Sequence, residues 1–398
     1  MLTLIESGFG SYAKDELIKI AQAVVKGRGR GFMIVPEQQT VSAENEISLA
    51  LGPEAPLYFE VSNFTRFANT VFRAIGGISG EYCTKDKKAL IMWRAITELS
   101  PMLSLTRGRP EVSSGIVSRA MAAVNEMQAL GISAGELNEL TAKSQTDDAR
   151  LKSKLDDLAL VYSLYKKLLK EKYNDTQDDV MTLAEQLKSE PQFLKGATIL
   201  IDGFTSFTEP QYKLIEELLG ICDVTITLTL PSYAKESFEF TEQRRTRARL
   251  VTAADRARVE KRLLRPTGVD QRRDGVIAEI VPLLWRNEGA IDDESLHLLN
   301  EGGERVRVFS ARTPFDECDF LAADIKRRVM NGDRYRDFAI IARNADSYVG
   351  ILNTALERAG IPHFISKSTD VTAFEAVKLI YTAYSVAIRG FKSEDVLT

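Results

Sequence analysis

The stretch from Ala197 to Gln211, ATILIDGFTSFTEPQ, constrains the fold more than any other part of the chain. Ile199, Leu200 and Ile201 form an unbroken apolar run, and Asp202 follows directly. A short apolar run without alternation suits a strand buried on both faces, as in a parallel sheet. After Glu209 and Pro210 an amphipathic helix carries Tyr212, Leu214, Ile215, Leu218 and Leu219. Open α/β sheets place ligands beyond the carboxyl ends of their strands, where Asp202 would stand. In a nucleotide motor such an Asp holds magnesium indirectly, and a Glu just after it orients the attacking water. Here the next residue is Gly203, which has no side chain to polarise water. The stretch reads as a motor strand without its catalytic base; the plainer alternative is a buried strand whose Asp202 caps the next turn.

A chain of 398 residues should divide into more than one unit. Its composition, 44% apolar and 27% charged, suits a globular protein without disordered bias. The net charge of −4 excludes a general polycation, so any nucleic-acid binding must come from local patches. Cys83, Cys222 and Cys318 are scattered, offer no zinc or iron–sulfur spacing, and read as reduced thiols of a cytoplasmic protein. No run approaches the ~20 apolar residues that cross a bilayer, and no membrane partner is expected. His297 and His363, far apart in sequence, do not suggest a histidine-based catalytic site. Asp178 and Asp179 read as charges in a first helical turn rather than as a metal pair; no metal site and no catalytic residue are expected.

Leu2 to Ile5 form a strand, and a Gly-rich turn leads from it into a helix ending near Lys26. That is the setting of a phosphate-binding loop, G-x-x-x-x-G-K-[ST]. With Gly10 in the middle of the loop, Ser7 and Tyr12 replace the two outer glycines and Ala13 replaces the lysine. Lys14 comes one residue late, turned by roughly 100° along a helix. Gly10, Ser11 and Lys14 thus read as a degenerate nucleotide site, to which Asp202 and, from the second unit, Arg343 also belong. The bland alternative is a tight turn that never met a nucleotide; the active alternative is an ATPase in which Lys14 substitutes for the lost lysine.

Two further strand ends carry polar loops: Phe32 to Val35 runs into Pro36-Glu37-Gln38-Gln39-Thr40, and Tyr58 to Val61 into Ser62-Asn63-Phe64-Thr65-Arg66. Amides pair with base edges, a Phe stacks on a base, and an Arg holds a phosphate or a guanine. In the bland reading Ser62 or Asn63 caps a helix while Phe64 and Phe67 enter the core. From about Lys85 to Leu194 the apolar spacing is helical, an insertion between strands. After the strand Asp223 to Leu230 comes the one concentrated basic stretch, Arg244 to Arg265, which suits phosphate tracking or a solvated, ion-paired face. Gly268 to Gly303 reads as a connection. A second α/β unit then begins, with RVRVFSA, DFAIIAR and IPHFIS as strands, and with Arg343 at a strand end where a motor points an arginine at phosphates. The expected layout is a first RecA-like domain over 1–84 and 196–303, a helical insertion over 85–195, and the start of a second RecA-like domain over 304–398, taken as truncated.

The order of GFGSYAK, IVPEQQT, VSNFTRFANTVF, ILIDGFTSFTEPQ and DRYRDFAIIARNADSYVGILNTALERAGIPHFIS resembles the N-terminal part of AddB or RexB, the non-motor member of the bacterial AddAB/RexAB helicase–nucleases. The resemblance covers essentially the whole chain. It implies an α/β, superfamily 1 helicase-like fold with a RecA-type parallel sheet that no longer drives translocation. It also implies an AddA/RexA-type partner that carries the ATP, single- and double-stranded DNA as ligands, and a role in double-strand break repair. AddB-type proteins scan the emerging single strand for a Chi sequence, and the corresponding residues here are Gln38, Thr40, Phe64 and Arg66. Asn69 stands where the family has a Trp. The family's nuclease domain, with its Mg and iron–sulfur cluster, would lie beyond Thr398, leaving this stretch without a cofactor. A protein-interaction scaffold without DNA contact is the remaining alternative.

Overall fold

The structure, a computed structural model, describes residues 1–8, 12–76, 81–104, 111–143, 148–176, 178–232, 237–266, 277, 297, 300, 306–365 and 374–389. The chain opens with β1 (Leu2–Ser7), α1 (Tyr12–Lys26), β2 (Gly31–Ile34), α2 (Thr40–Leu51), a one-turn α3 (Ala55–Tyr58), β3 (Phe59–Ser62) and α4 (Phe64–Ile75). Then follow β4 (Glu81–Tyr82), α5 (Lys85–Leu99), α6 (Ser114–Ala129), α7 (Ala134–Lys143), α8 (Ala149–Lys170), β5 (Tyr173–Asn174) and α9 (Asp179–Leu187). The chain returns through β6 (Thr198–Ile201), α10 (Glu209–Leu219), β7 (Asp223–Thr229), α11 (Thr241–Arg256) and β8 (Lys261–Leu264).

Six strands pair in the order β3-β2-β6-β7-β1-β8, every neighbour parallel. The apolar run foreseen as a buried strand is β6, where Ile199, Leu200 and Ile201 are fully buried. Alternation sorts the strand residues between two faces. Phe32, Ile34, Ile199, Ile201 and Ile226 meet α4, α9, α10 and α11. Ile5, Met33, Val35 and Leu200 meet α1 and α2 on the opposite side. This is the α/β, RecA-like arrangement expected from the sequence. Thr208-Glu209-Pro210-Gln211 closes a capping box, the Thr208 N–H donating to Gln211 Oε1 at 2.9 Å, and so fixes where α10 leaves the sheet.

Helices α5 to α8 build their own core around Met92, Ile96, Val124, Tyr162 and Tyr165. Helix α9, within the stretch read from sequence as insertion, buries Val180, Leu183, Ala184 and Leu187 in the core of the sheet instead. Asp178 immediately precedes α9 and Asp179 sits in its first turn, as the sequence indicated. Asp178 is held by Lys166 at 2.6 Å and Asp175 by Lys88 at 2.5 Å, while Gln128 Nε2 donates to both aspartates. Burial pushes the Asp179 carboxyl up to about 6, opposed by the Tyr82 hydroxyl.

The chain divides into two compact units, Met1–Arg305 and Val306–Thr398. The second contains α12 (Pro314–Met330), α13 (Val349–Arg358) and α14 (Glu375–Arg389). The three strands read from sequence in this unit need correction. The described residues of RVRVFSA, DFAIIAR and IPHFIS join no ladder and form no strand. Among the described residues, no helix is long and apolar enough to cross a membrane.

Candidate functional site

The carboxyl edge of the sheet gathers the loops that the sequence singled out. Because β3, β2 and β6 are neighbours, the segments that leave them, residues 63–66, 36–40 and 202–207, line one continuous stretch of that edge. The register aligns Ile34 with both Ser62 and Ile201, so the three strands end level.

On the α1/α2 side of this edge lies a cavity of about 300 Å³, lined among others by Lys14, Leu17, Met33, Gln39, Glu46 and Asp202. Lys14 Nζ donates to Glu46 Oε2 at 2.8 Å, so the late lysine is engaged by a carboxylate of the neighbouring helix. Asp202 accepts from the Thr227 hydroxyl on β7, which ties it to the adjacent strand rather than to the turn after it. Gly203 adopts φ 81°, and a Cβ there would stand 2.5 Å from Gln39 Oε1 and 3.2 Å from Pro36 Cδ. The left-handed backbone favours glycine, whereas the Gln39 amide is the end of an exposed, flexible side chain. Position 203 therefore presents no side chain that could orient an attacking water. Gly10 and Ser11 lie outside the described residues. Arg343 belongs to the second unit, where it is exposed.

The candidate DNA residues divide into two kinds. Gln38 and Arg66 are exposed at the strand tips. Asn63 caps α4 by accepting the Arg66 backbone N–H at 2.8 Å, the role the bland reading gave it. Thr40 is 3% exposed, and its hydroxyl donates to the Glu37 carbonyl at 2.9 Å, so it secures the start of α2. Phe64 is 4% exposed and meets Phe204 and Phe207 edge-on, at centroid distances of 5.4 and 6.1 Å. Its role as a base-stacking ring is therefore corrected: Phe64 begins the apolar stripe of α4, with Phe67, Ala68, Val71 and Phe72. The ring left partly exposed at this edge is Phe204. Sequence reading passed over Phe204 and Gln39, although the Gly-Phe turn and the paired glutamines were visible signals. Asn69 accepts from the Tyr82 hydroxyl at 2.7 Å and links α4 to β4.

The basic stretch follows the ion-paired reading over much of its length. Arg245 pairs with Glu242, and Arg256 with Glu216. Arg249 reaches both oxygens of Glu209 at 2.6 Å while lying 3.7 Å from the Tyr212 ring centroid. Arg247 and Arg265 converge on Glu6, which is 4% exposed at the end of β1. The exposed pairs contribute little each, whereas the buried Glu6 carboxylate needs its partners. Cys83, Cys222 and Cys318 are all buried and unbridged. Burial pushes the Cys222 thiol up to about 12, which leaves it protonated and a poor metal ligand.

Residues 12–274 match the family model described as "ADDB, N-terminal". Similar curated proteins include the B-type chain of the ATP-dependent helicase/deoxyribonuclease of Alkaliphilus oremlandii, 28% identical over 386 residues, covering 93% of this chain and 32% of the relative. The protein of the same name from Clostridioides difficile is 28% identical over 401 residues, covering 98% and 34% respectively. That of Listeria innocua is 24% identical over 393 residues, covering 98% and 33%. The chain spans about a third of the length of the curated relatives it matches.

Proposed function

The chain belongs to the AddB family, and from that premise we propose that it is the DNA-gripping, non-motor part of a helicase/deoxyribonuclease that acts in double-strand break repair. The observation that carries the reading is the contrast between two halves of one edge. Gln38, Arg66 and Phe204 are exposed, wholly or in part, on the loops after β2, β3 and β6. Beside them, the place where a motor keeps its base is Gly203, which has no side chain. The guanidinium suits a phosphate or a guanine, the amide suits a base edge, and the ring suits a stacked base.

In this reading the cytoplasmic AddB-type protein receives a single strand from an AddA-type partner that hydrolyses the ATP. It scans that strand for a Chi-like sequence and leaves nuclease chemistry to a region outside this chain. The relatives' name, which joins helicase and deoxyribonuclease, supports the pairing of activities. The test is an oligonucleotide titration across salt, followed by cutting assays on the reconstituted two-protein enzyme. Log affinity should fall linearly with log salt. A Gln38→Ala/Arg66→Ala double variant should bind ~10-fold or more weakly and shift the position at which cutting is attenuated. Unchanged affinity together with an unchanged cutting map would refute the reading.

A further inference from the structure

The exposed side chains of the strand tips leave unused the cavity that opens beside them, on the α1/α2 side of the sheet edge. Its volume of about 300 Å³ is at the small end of ligand pockets and suits a single ring system. Leu17 of α1, Met33 and Val35 at the end of β2, and Ala43 and Ile47 of α2 supply its apolar lining. Gln39, Ser42 and Asp202 supply polar groups, and Lys14 and Glu46 pair with each other across 2.8 Å. Asp202 takes the Thr227 hydroxyl on Oδ1; among the described residues its Oδ2 accepts no hydrogen bond.

These groups select a class of ligand. Asp202, Glu46 and Lys14 leave the lining with a formal charge of −1, which repels a phosphate. The apolar lining favours a flat, uncharged ring instead. A carboxylate only accepts, and has acceptor sites to spare beyond the Thr227 bond, so the ring must present N–H groups. Guanine sets two adjacent donors on its pairing edge, N1–H and the N2 amine, and a carboxylate takes both side by side. Thymine flanks its one N–H with two carbonyl oxygens that a carboxylate repels. Position points the same way. Gln39 lines the cavity, and the next Cα, about 3.8 Å away, is that of Gln38, whose side chain is exposed at the tip. A strand lying over Gln38 and Arg66 therefore passes the mouth of the cavity, and a base that is already single-stranded costs little to extrude. We propose that the cavity takes one unstacked base of the gripped strand, guanine in preference, with its pairing edge toward Asp202. Such a pocket presupposes the single-strand grip at the strand tips, and one set of titrations separates the two.

Fluorescence anisotropy of the full-length protein in chelator tests this with three strands: oligo(dT), the same strand with one central dG, and the same strand with deoxyinosine there. The dG strand should bind ~10-fold more tightly than oligo(dT), and deoxyinosine, which lacks the N2 amine, should lose most of that gain. Asp202→Asn keeps an acceptor for Thr227 but loses the carboxylate, and Ala43→Leu fills the cavity from α2; each should bring the dG gain below about twofold. Thermal unfolding checks that both variants fold, and the comparison of strands stands without them. Equal binding of all three strands, still weakened by Gln38→Ala/Arg66→Ala, overturns the pocket and keeps the grip. Absence of binding to any strand overturns both. A dG gain that survives both cavity variants puts the base elsewhere and overturns the pocket, as does free dGMP that binds as tightly as the dG strand, which would mark a nucleotide site.

Discussion

Gln39 Oε1 stands 2.5 Å from the point where a Cβ on Gly203 would be, so the amide of one strand-end loop occupies the space beside the last residues of the neighbouring strand. The left-handed backbone at Gly203, φ 81°, favours glycine after Asp202. Gly203→Ala should destabilise the first unit by at least ~1–2 kcal/mol, from the left-handed backbone alone. Gly203→Glu should cost more and should confer no ATPase activity. Urea midpoints and a phosphate-release assay check both outcomes.

The ion pair of Lys14 and Glu46 makes a second prediction. Both side chains are partly exposed, at 44% and 33%, so Glu46→Gln should change stability by less than ~1 kcal/mol. Calorimetric titration of the intact chain with Mg-ATP should show no tight binding. Tight binding abolished by Lys14→Ala would support the active-ATPase alternative.

Phe64 and Phe204 touch but should respond differently to truncation. Phe64→Ala removes a buried ring and should cost ~3–5 kcal/mol of stability. Phe204→Ala, which removes a partly buried ring, should cost less stability than Phe64→Ala and weaken single-strand binding by ~1–3 kcal/mol. Thermal unfolding and fluorescence anisotropy on both variants separate the roles.

Asp179 predicts a pH dependence. Burial raises its native pKa to about 6, from an ordinary 3.8. Between those values the native state holds a proton that the unfolded state has lost, so stability falls as pH rises through that window. Each pKa step is worth ~1.4 kcal/mol, so ionised Asp179 costs the native state on the order of 2–3 kcal/mol. Asp179→Asn should therefore be nearly neutral at about pH 4 and raise the melting temperature at about pH 8. A variant effect of equal size at both pH values would show that burial does not control the group.

The central sheet was legible because Ile199 to Ile201 permit little else than a doubly buried strand, and because Asn63 and Asp178 sit where helices begin. The orientation of Phe64 was not legible. In a first helical turn one residue separates a core position from an exposed one, and only the packing of Phe204 and Phe207 decides between them. The ladders expected at DFAIIAR and IPHFIS failed for another reason: strand propensity describes a segment's side chains, whereas a ladder needs a neighbour. The approach of Gln39 to position 203 joins two loops 160-odd residues apart in sequence, which no local pattern reports.

Whether this edge grips DNA is tested most directly by photocrosslinking of a single strand carrying reactive thymines, with the attached peptides identified by mass spectrometry. Crosslinks are expected within residues 36–40, 63–66 and 203–207, and should be lost in the Gln38→Ala/Arg66→Ala variant. Crosslinks confined to α11, or to the second unit, would contradict a DNA grip at the strand tips.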